Sequence, residues 1–531
     1  MTDFYVVLVI SFIGAVFAAF SSYQLIQHYQ LCAYHIGEYY KNIKKPLILK
    51  LLIVSGIIFG FTMVVMNIFD LFGGHFGLLG LSVFFILMMI HTVMQYKKRY
   101  KTPLKFTPRI IRFMMIFGLC NFGVWLGVIF AFYTYVPIIS YSIIGLIPIL
   151  NYLLCGIAAI IVFPLETLLQ SKFIYLAKKK LSSMPNLKII GITGSYGKTS
   201  VKFILQKLLE GHYKVCVSPN SFNTPMGLCR SINQNLKQSD EIFIAEMGAR
   251  KKGDIIRLCS IARPDISIIT AVGEQHLATF KNIDTVAQAK YEIIEESNPN
   301  SLAVLNGDSE YCVNLFEKTD RDKILTGAES KAHKLFAYYV DTHTFNRGSR
   351  FVLNIDGQSV DCVTGLLGRH NISNITLASA AAYRLGISLQ EISNKITELK
   401  AVPHRLQLIE TGGGMTIIDD SFNANIEGAK IALEILASFL QKKVVITAGL
   451  VDMGKHQKSV NFELGKLIAN TADWCIITGP NSLYIYDGLT EQNFNIKNIR
   501  ICDSLNQATR VLNTISGSKV VLFQNDLPDN Y

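Results

Sequence analysis

The first third of the chain is a succession of long apolar runs, whereas the rest alternates short apolar strands with amphipathic helices. Five runs, at about 4–20, 47–68, 76–95, 112–135 and 141–163, approach the roughly 20 residues needed to cross a hydrocarbon core. They predict five membrane spans within a domain of residues 1–180. The first run does not read as a cleaved signal peptide. It lacks a basic start, and its small residues lead into further apolar sequence.

From Asn186 the pattern changes. LKIIGITG reads as a strand entering a loop, and KTSVKFILQKLLEG as the helix after it. KVCVSPN, EIFIAEMGA, DISIITAVG and SLAVLNGD read as further strands, with helices such as GDIIRLCSIA between them. This rhythm predicts a doubly wound parallel sheet over 181–400, whose ligands bind beyond the carboxyl ends of the strands. A smaller Rossmann-like α/β domain is expected over 401–531, from the strands GMTIIDD, KKVVITAGL, DWCIITGP and KVVLFQND. No glycine fingerprint follows its first strand, which argues against a dinucleotide there.

Charge changes how the apolar third is read. The chain carries a formal +12, and residues 1–180 hold fifteen Lys and Arg against four acids, leaving almost none of the excess to the remainder. The basic residues gather in alternate loops: Lys41, Lys44 and Lys45, then the KKRYK run, then AKKK after the last span. By the positive-inside rule this predicts an outside N-terminus and cytoplasmic C-terminal domains, in a multi-pass protein of the plasma membrane. Topology and contact with anionic lipid account for the basic excess better than nucleic-acid binding does. The ten cysteines lie singly, with no CxxC pair, so neither disulfides nor a zinc ribbon is expected.

The candidate chemistry clusters at strand ends. In GITGSYGKTS, residues 191–200, glycines stand at Gly191, Gly194 and Gly197, followed by Lys198, Thr199 and Ser200. The common phosphate loop is G-x-x-x-x-G-K-[ST], which would need glycine where Ile192 stands. The strand before and helix after are nonetheless the right context for backbone N–H groups and a helix N-terminus to meet phosphates. Lys198 would neutralise phosphate oxygens and Thr199 would hold Mg²⁺. Glu246 and His276 end two further strands and suit a cation beside a nucleotide. Taken singly, Glu246 reads more readily as a surface acid and His276 as a capping residue, and it is their shared place at strand tips that favours a cation site. Lys290, within VAQAKYEI, would ordinarily be a solvated helical charge, and PNSFNTPMG (219–227) sets two Asn and a Thr in a loop.

Seven ordered motifs carry a resemblance: GITGSYGKTS, NSFNTPMG, AEMGARKKGDI, ARPDISIITAVGEQHL, AQAKYEI, GRHNISNITLASAAA and DDSFNAN. Together they resemble the Mur ligases over about residues 187–531, nearest to the member adding D-alanyl-D-alanine to a peptidoglycan precursor. The resemblance implies an ATP- and Mg²⁺-dependent amide ligase working through an acyl phosphate. Its partners would be a cell-wall precursor acceptor and an amino-acid or dipeptide amine. By motif, Gly194, Ser195, Gly197, Lys198, Thr199 and Ser200 hold the phosphates, Lys198 gripping the γ-phosphate. Thr199 and Glu246 hold one metal ion, and His276 and Lys290 the second, the matching lysine being typically carbamylated. Asn371 and Asn374 line the adenine, Arg405 and Asp420 reach the nucleotide from the C-terminal domain, and Asn423 and Asn425 order the loop beside them.

Two departures bear on the substrates. The family's N-terminal UDP-sugar-binding domain has no counterpart, and apolar spans stand in its place. The chain also ends in FQNDLPDNY where the family pattern has a Lys-Gly-Ser turn, and Ile426 replaces a proline after DDSFNAN. A membrane-held acceptor, such as a lipid-linked precursor or a growing polymer, fits such an anchor. A poly-γ-glutamate-type synthase is the nearby alternative. An NTPase-driven transporter is disfavoured by the lack of an LSGGQ-like signature and by the few polar residues in the spans (Asn67, Asp70, Asn121, Asn151).

Overall fold

The computed structural model describes residues 8, 11–16, 18–19, 22–32, 34–42, 103–134 and 147–524, the last stretch without 220–221, 274–279, 281, 330–332, 412, 423–424, 452 and 454–455. The chain divides into two compact units, one within Met1–Gln170 and the other within Ser171–Leu527.

Two described helices are long and apolar enough to cross a membrane: Pro108–Thr134 in the first unit, and Ile147–Ser182, which begins there and continues past Gln170 into the second. They overlap the fourth and fifth expected spans, the second helix running well beyond residue 163. The spans at 47–68 and 76–95 lie outside the described residues, as does much of that at 4–20, so five spans remain an expectation. Tyr29, Tyr39, Phe113, Phe117, Leu154 and Ala158 form the core of the first unit. Glu166 is buried and meets the guanidinium groups of Arg112 at 2.6 Å and Arg109 at 3.5 Å. Elsewhere the long helix turns bulky apolar side chains outward, among them Ile160, Phe163 and Leu168, each more than 60% exposed.

The second unit contains two sheets. The larger has nine strands: β1 (Lys188–Thr193), β2 (Val215–Val217), β3 (Ile242–Glu246), β4 (Ile266–Ile269), β5 (Leu302–Asn306), β6 (Lys323–Ala328), β7 (Ala337–Phe345), β8 (Gly348–Ile355) and β9 (Gln358–Thr364). Their order is β2-β3-β1-β4-β5-β6-β7-β8-β9, and β2 through β7 are parallel throughout. The predominantly apolar runs of β1, β3, β4 and β5 are buried along their length, Lys188 at the start of β1 excepted, as a parallel sheet covered on both faces requires. Helix Lys198–Leu209 packs one side with Val201, Ile204, Leu205 and Leu208, each contributing roughly 1.5–3 kcal/mol of burial.

The antiparallel meander β7–β9 is an addition to the expected sheet. Its second turn is Asp356-Gly357, both at positive φ (50° and 77°), the type I′ geometry that an Asp-Gly pair favours. Helix Arg369–Arg384 returns the chain from the meander across the sheet, and its buried face joins the same core.

The smaller sheet runs β10 (Gln407–Glu410), β11 (Met415–Asp420), β15 (Lys519–Gln524), β12 (Lys442–Thr447), β13 (Trp474–Thr478) and β14 (Ile499–Cys502). All pairings are parallel except the edge hairpin β10–β11. The four strands expected here, β11, β12, β13 and β15, are all present.

Candidate active site

The site is built where β1 ends. Residues 194–197 turn from that strand into helix Lys198–Leu209, and two glycines make the turn possible. Gly194 has φ 150°, and a Cβ there would collide with the Thr270 hydroxyl. Gly197 has φ 82°, a left-handed conformation, and a Cβ there would come within 2.7 Å of Asn374 Oδ1. Ser195 fastens the loop to the end of β4. Its hydroxyl donates to the Gly273 carbonyl (2.9 Å) and accepts from the Gly273 N–H (3.0 Å). Thr270 donates to the Tyr196 carbonyl. The spacing that misses the common phosphate loop therefore folds as a tight cradle of its own.

Lys198 turns back over this cradle, donating to the carbonyls of Gly194 (2.6 Å) and Ser195 (3.2 Å). Burial brings its pKa down to about 8, with Glu246 opposing the shift and Arg405 adding to it. Thr199, buried in the first turn of the helix, donates to Glu246 Oε2 at 3.0 Å. Glu246 sits at the tip of β3, and its other oxygen accepts from Asn223 Nδ2 at 3.1 Å. The Arg405 Nη2 donates to Thr199 Oγ1 at 3.3 Å, so a residue beyond the first sheet reaches the loop. Arg405 is flanked by two non-glycine residues at positive φ, His404 (66°) and Leu406 (46°). Each such residue costs on the order of 1–3 kcal/mol, strain that clusters where a side chain must be aimed.

Lys290 lies on helix Ile283–Glu295 and is almost wholly buried. Burial, reinforced by the charge of Lys198, lowers its pKa to about 7. Burial thus disfavours the charged ammonium form. This is no solvated helical charge.

Asn371 and Arg405 line a cavity of about 310 Å³ beside the loop, together with Ser200, Phe203, Leu366 and Val402. The mixture of apolar walls and a few polar groups suits a flat heterocycle. Asn374 is buried one turn further along the same helix, its Nδ2 3.4 Å from Asn371 Oδ1. Asp420 ends β11 and accepts from the Leu406 N–H at 3.3 Å, while burial raises its carboxyl to about pH 6 against the opposing pull of Arg405. Asn425 has a local duty. Its side chain accepts from the Gly428 N–H at 2.7 Å and caps helix Ile426–Ala437. His276 and Asn423 lie outside the described residues.

Three contributors carried no sequence assignment. Lys202, fully buried, lies 3.3 Å from Glu246; Ser218 accepts from both Lys202 and the Glu246 N–H; and His404 meets Asp419 at 2.8 Å. Asn223 stood in a loop already singled out, but its bond to Glu246 depends on a fold-level approach of two strand ends.

The donor set of Thr199 and Glu246 is a hydroxyl and a carboxylate oxygen 3.0 Å apart, both hard ligands. Mg²⁺ is characteristically held by one or two carboxylates together with substrate phosphates, so these residues fit it. Among the described residues no cluster of three His, Cys, Asp or Glu forms an all-protein cage.

Two family models match the chain: the Mur ligase middle domain over residues 192–382 and the Mur ligase glutamate ligase domain over 404–524. Both segments belong to the Mur ligase family. The UDP-N-acetylmuramoyl-tripeptide–D-alanyl-D-alanine ligase of Buchnera aphidicola subsp. Baizongia pistaciae is 32% identical over 286 residues, 54% of this chain and 62% of that protein. The enzyme of the same name from Escherichia coli K12 is 28% identical over 279 residues, 52% and 61% of the two chains. The chain thus spans about three-fifths of the length of these relatives. A MurF ligase from Thermotoga maritima, solved in complex with ADP, superposes with a TM-score of 0.60 at 26% identity, covering 67% of this chain and 80% of that one. The central and C-terminal Mur ligase domains are therefore MurF-like in fold.

Proposed function

We propose that the chain is an ATP-dependent carboxylate–amine ligase that extends the peptide of a peptidoglycan precursor, adding a D-alanyl-D-alanine-like amine. The observation that carries this reading is the convergence of Lys198, Thr199, Glu246 and Arg405 on one loop. The similarity to D-alanyl-D-alanine ligases, 32% identity over 286 residues and 28% over 279, supports it.

A carboxylate is a poor electrophile, and transfer of the γ-phosphoryl group converts it to an acyl phosphate that an amine can attack. Little covalent work falls to the protein, which positions the reactants and offsets developing charge. Lys198 exchanges its two loop carbonyls for phosphate oxygens. Arg405 supplies a second cation from the C-terminal domain as that domain closes on the nucleotide. Asn371 and Asn374 border the base and Asp420 the ribose, while Gly194, Ser195, Gly197 and Ser200 shape the phosphate cradle. Thr199 and Glu246 would hold Mg²⁺, which supplies electrostatic stabilisation of the transferring group. Lys290, as a carbamate, would supply a second carboxylate-like ligand, holding a second metal ion together with His276. Asn423 and Asn425 order the loop beside the phosphates, Asn425 through its cap.

The domain plan belongs to the same proposal: a membrane domain of five spans (1–180), an ATP-binding domain (181–400) and a C-terminal domain (401–531) that faces the cytoplasm. The outward apolar rows of helix Ile147–Ser182 and the basic residues at its end favour insertion. A membrane-held acceptor follows from that anchor.

Phosphate release by the purified chain, with D-alanyl-D-alanine and single amino acids as amines, tests the activity. UDP-linked and lipid-linked muramoyl peptides serve as competing acceptors. Release that requires both an amine and a muramoyl peptide is expected, with the lipid-linked form preferred. Preference for the UDP-linked form would remove the membrane acceptor, and ATP hydrolysis independent of any amine would remove the ligase.

A further inference from the structure

Helix Lys198–Leu209 buries a face of Val201, Ile204, Leu205 and Leu208, and on that side it also buries a lysine. Lys202 has a fully buried side chain at a position where a leucine would extend the core. A buried ammonium is retained only where opposite charge and hydrogen bonds replace its water. Both are present. The Lys202 Nζ donates to the Ser218 carbonyl at 2.8 Å and lies 3.3 Å from Glu246 Oε2.

Glu246 is itself buried, and its surroundings are almost fully specified. Thr199 donates to Oε2, Asn223 donates to Oε1, and the Glu246 N–H is bonded to Ser218 Oγ. Lys202 and Thr199 thus share one carboxylate oxygen from two points on the same helix, one turn apart. Ser218, just past β2, anchors both the ammonium and the backbone of the carboxylate. Both carboxylate oxygens are thus engaged, and the Lys202 ammonium lies beside one of them before any metal cation arrives.

We propose that Lys202 is a positioning residue of the nucleotide site: it holds the Glu246 carboxylate in the geometry that receives the metal of the metal–nucleotide complex. This rests on the nucleotide-binding reading above. Lys202 acts through Glu246. Lysine in this place serves two elements at once, bonding the Ser218 carbonyl while lying beside the Glu246 carboxylate.

Partners that orient a metal ligand typically alter metal affinity by about 10–100-fold when removed. The test uses the full chain in detergent, with Mn²⁺ as the probe in the presence of ADP, titrated by electron paramagnetic resonance. Lys202→Met and Lys202→Gln should weaken Mn²⁺ binding at least about tenfold, whereas Lys202→Arg, which keeps the charge, should retain most of it. In the ligase assay the same variants should raise the Mg²⁺ concentration needed for half-maximal rate, and saturating Mg²⁺ should recover most of kcat. A purely structural lysine would instead lower stability in Met and Gln alike while leaving Mn²⁺ affinity unchanged in the folded fraction, and that result overturns the proposal. Tighter Mn²⁺ binding in Lys202→Met, the mark of simple charge competition, overturns it too. Failure of the unaltered chain to bind Mn²⁺ with ADP would strike the nucleotide reading itself, and so distinguishes the two failures.

Discussion

Lys198 has its ammonium 2.6 Å from one loop carbonyl and 3.2 Å from another, in a position that phosphate oxygens would take over. Lys198→Ala should therefore lower the rate of amine-dependent phosphate release by at least about 10²–10³-fold, the scale of a lost preorganised electrostatic contact. A circular dichroism spectrum and melting curve close to the parent's should accompany the loss. Lys290→Ala should be equally damaging if the buried amine serves as a carbamate, and added bicarbonate or a short carboxylic acid should restore part of the activity. Full activity in Lys290→Ala would remove that role. A third residue tests electrostatics without touching the chemistry. The Nδ1 of His370 is shut from solvent without a hydrogen-bond partner, and burial lowers the imidazole pKa to about 4. Between pH 6.5 and 4 the unfolded chain binds a proton that the folded chain refuses. Stability contributed by the neutral ring is complete above pH 6.5 and falls away toward pH 4, by up to about 3 kcal/mol. His370→Gln should flatten that slope in urea unfolding measured across the same window.

At the scale of elements, the loop and the helix behind it depend on backbone conformations that only glycine adopts cheaply. Gly197→Ala places a Cβ at φ 82° and 2.7 Å from Asn374 Oδ1. The strain is about 1–2 kcal/mol, and a loop displaced to relieve it should bind ADP roughly tenfold more weakly, measurable by calorimetry. Parental ADP affinity in Gly197→Ala would show that the cradle does not need this conformation. The elements legible in the sequence were those with continuous apolar runs, because a parallel strand buried on both faces carries its signal in five or six consecutive residues. The meander β7–β9 was not legible that way. The far half of β7 is exposed, and its side chains (His343, Thr344, Phe345) follow no inward face. Its Asp356-Gly357 turn was the one local sign. Within the site, Lys198, Thr199 and Glu246 were legible from motif and strand position. Lys202 was not, since a lysine on a helix reads as solvated until the fold brings Ser218 and Glu246 to it. Asn425 was legible as a loop residue, and its cap geometry is a consequence of where helix Ile426–Ala437 begins.

Across the whole molecule, charge and apolar surface divide at the same place. Residues 1–180 hold nearly all of the chain's net positive charge, and helix Ile147–Ser182 carries its outward apolar rows up to Lys178, Lys179 and Lys180. At 1.5 Å per residue its 36 residues extend about 54 Å, well beyond a hydrocarbon core of about 30 Å. Such a helix is long enough to cross that thickness with its basic end still beyond it. Two kinds of attachment would look alike at low salt. Basic residues held to anionic lipid let go when the Debye length shrinks to about 3 Å at 1 M salt, whereas buried apolar spans do not. The full chain should therefore stay with the membrane fraction through 1 M salt and alkaline carbonate, and leave it only in detergent. A chain beginning at Ser171 should remain in the soluble fraction and bind Mg–ADP with unchanged affinity, because every described residue of the proposed nucleotide site lies beyond that point. Salt alone releasing the full chain would reduce the first third to a peripheral, electrostatic tether, and the lipid-linked acceptor would lose the anchor on which it rests.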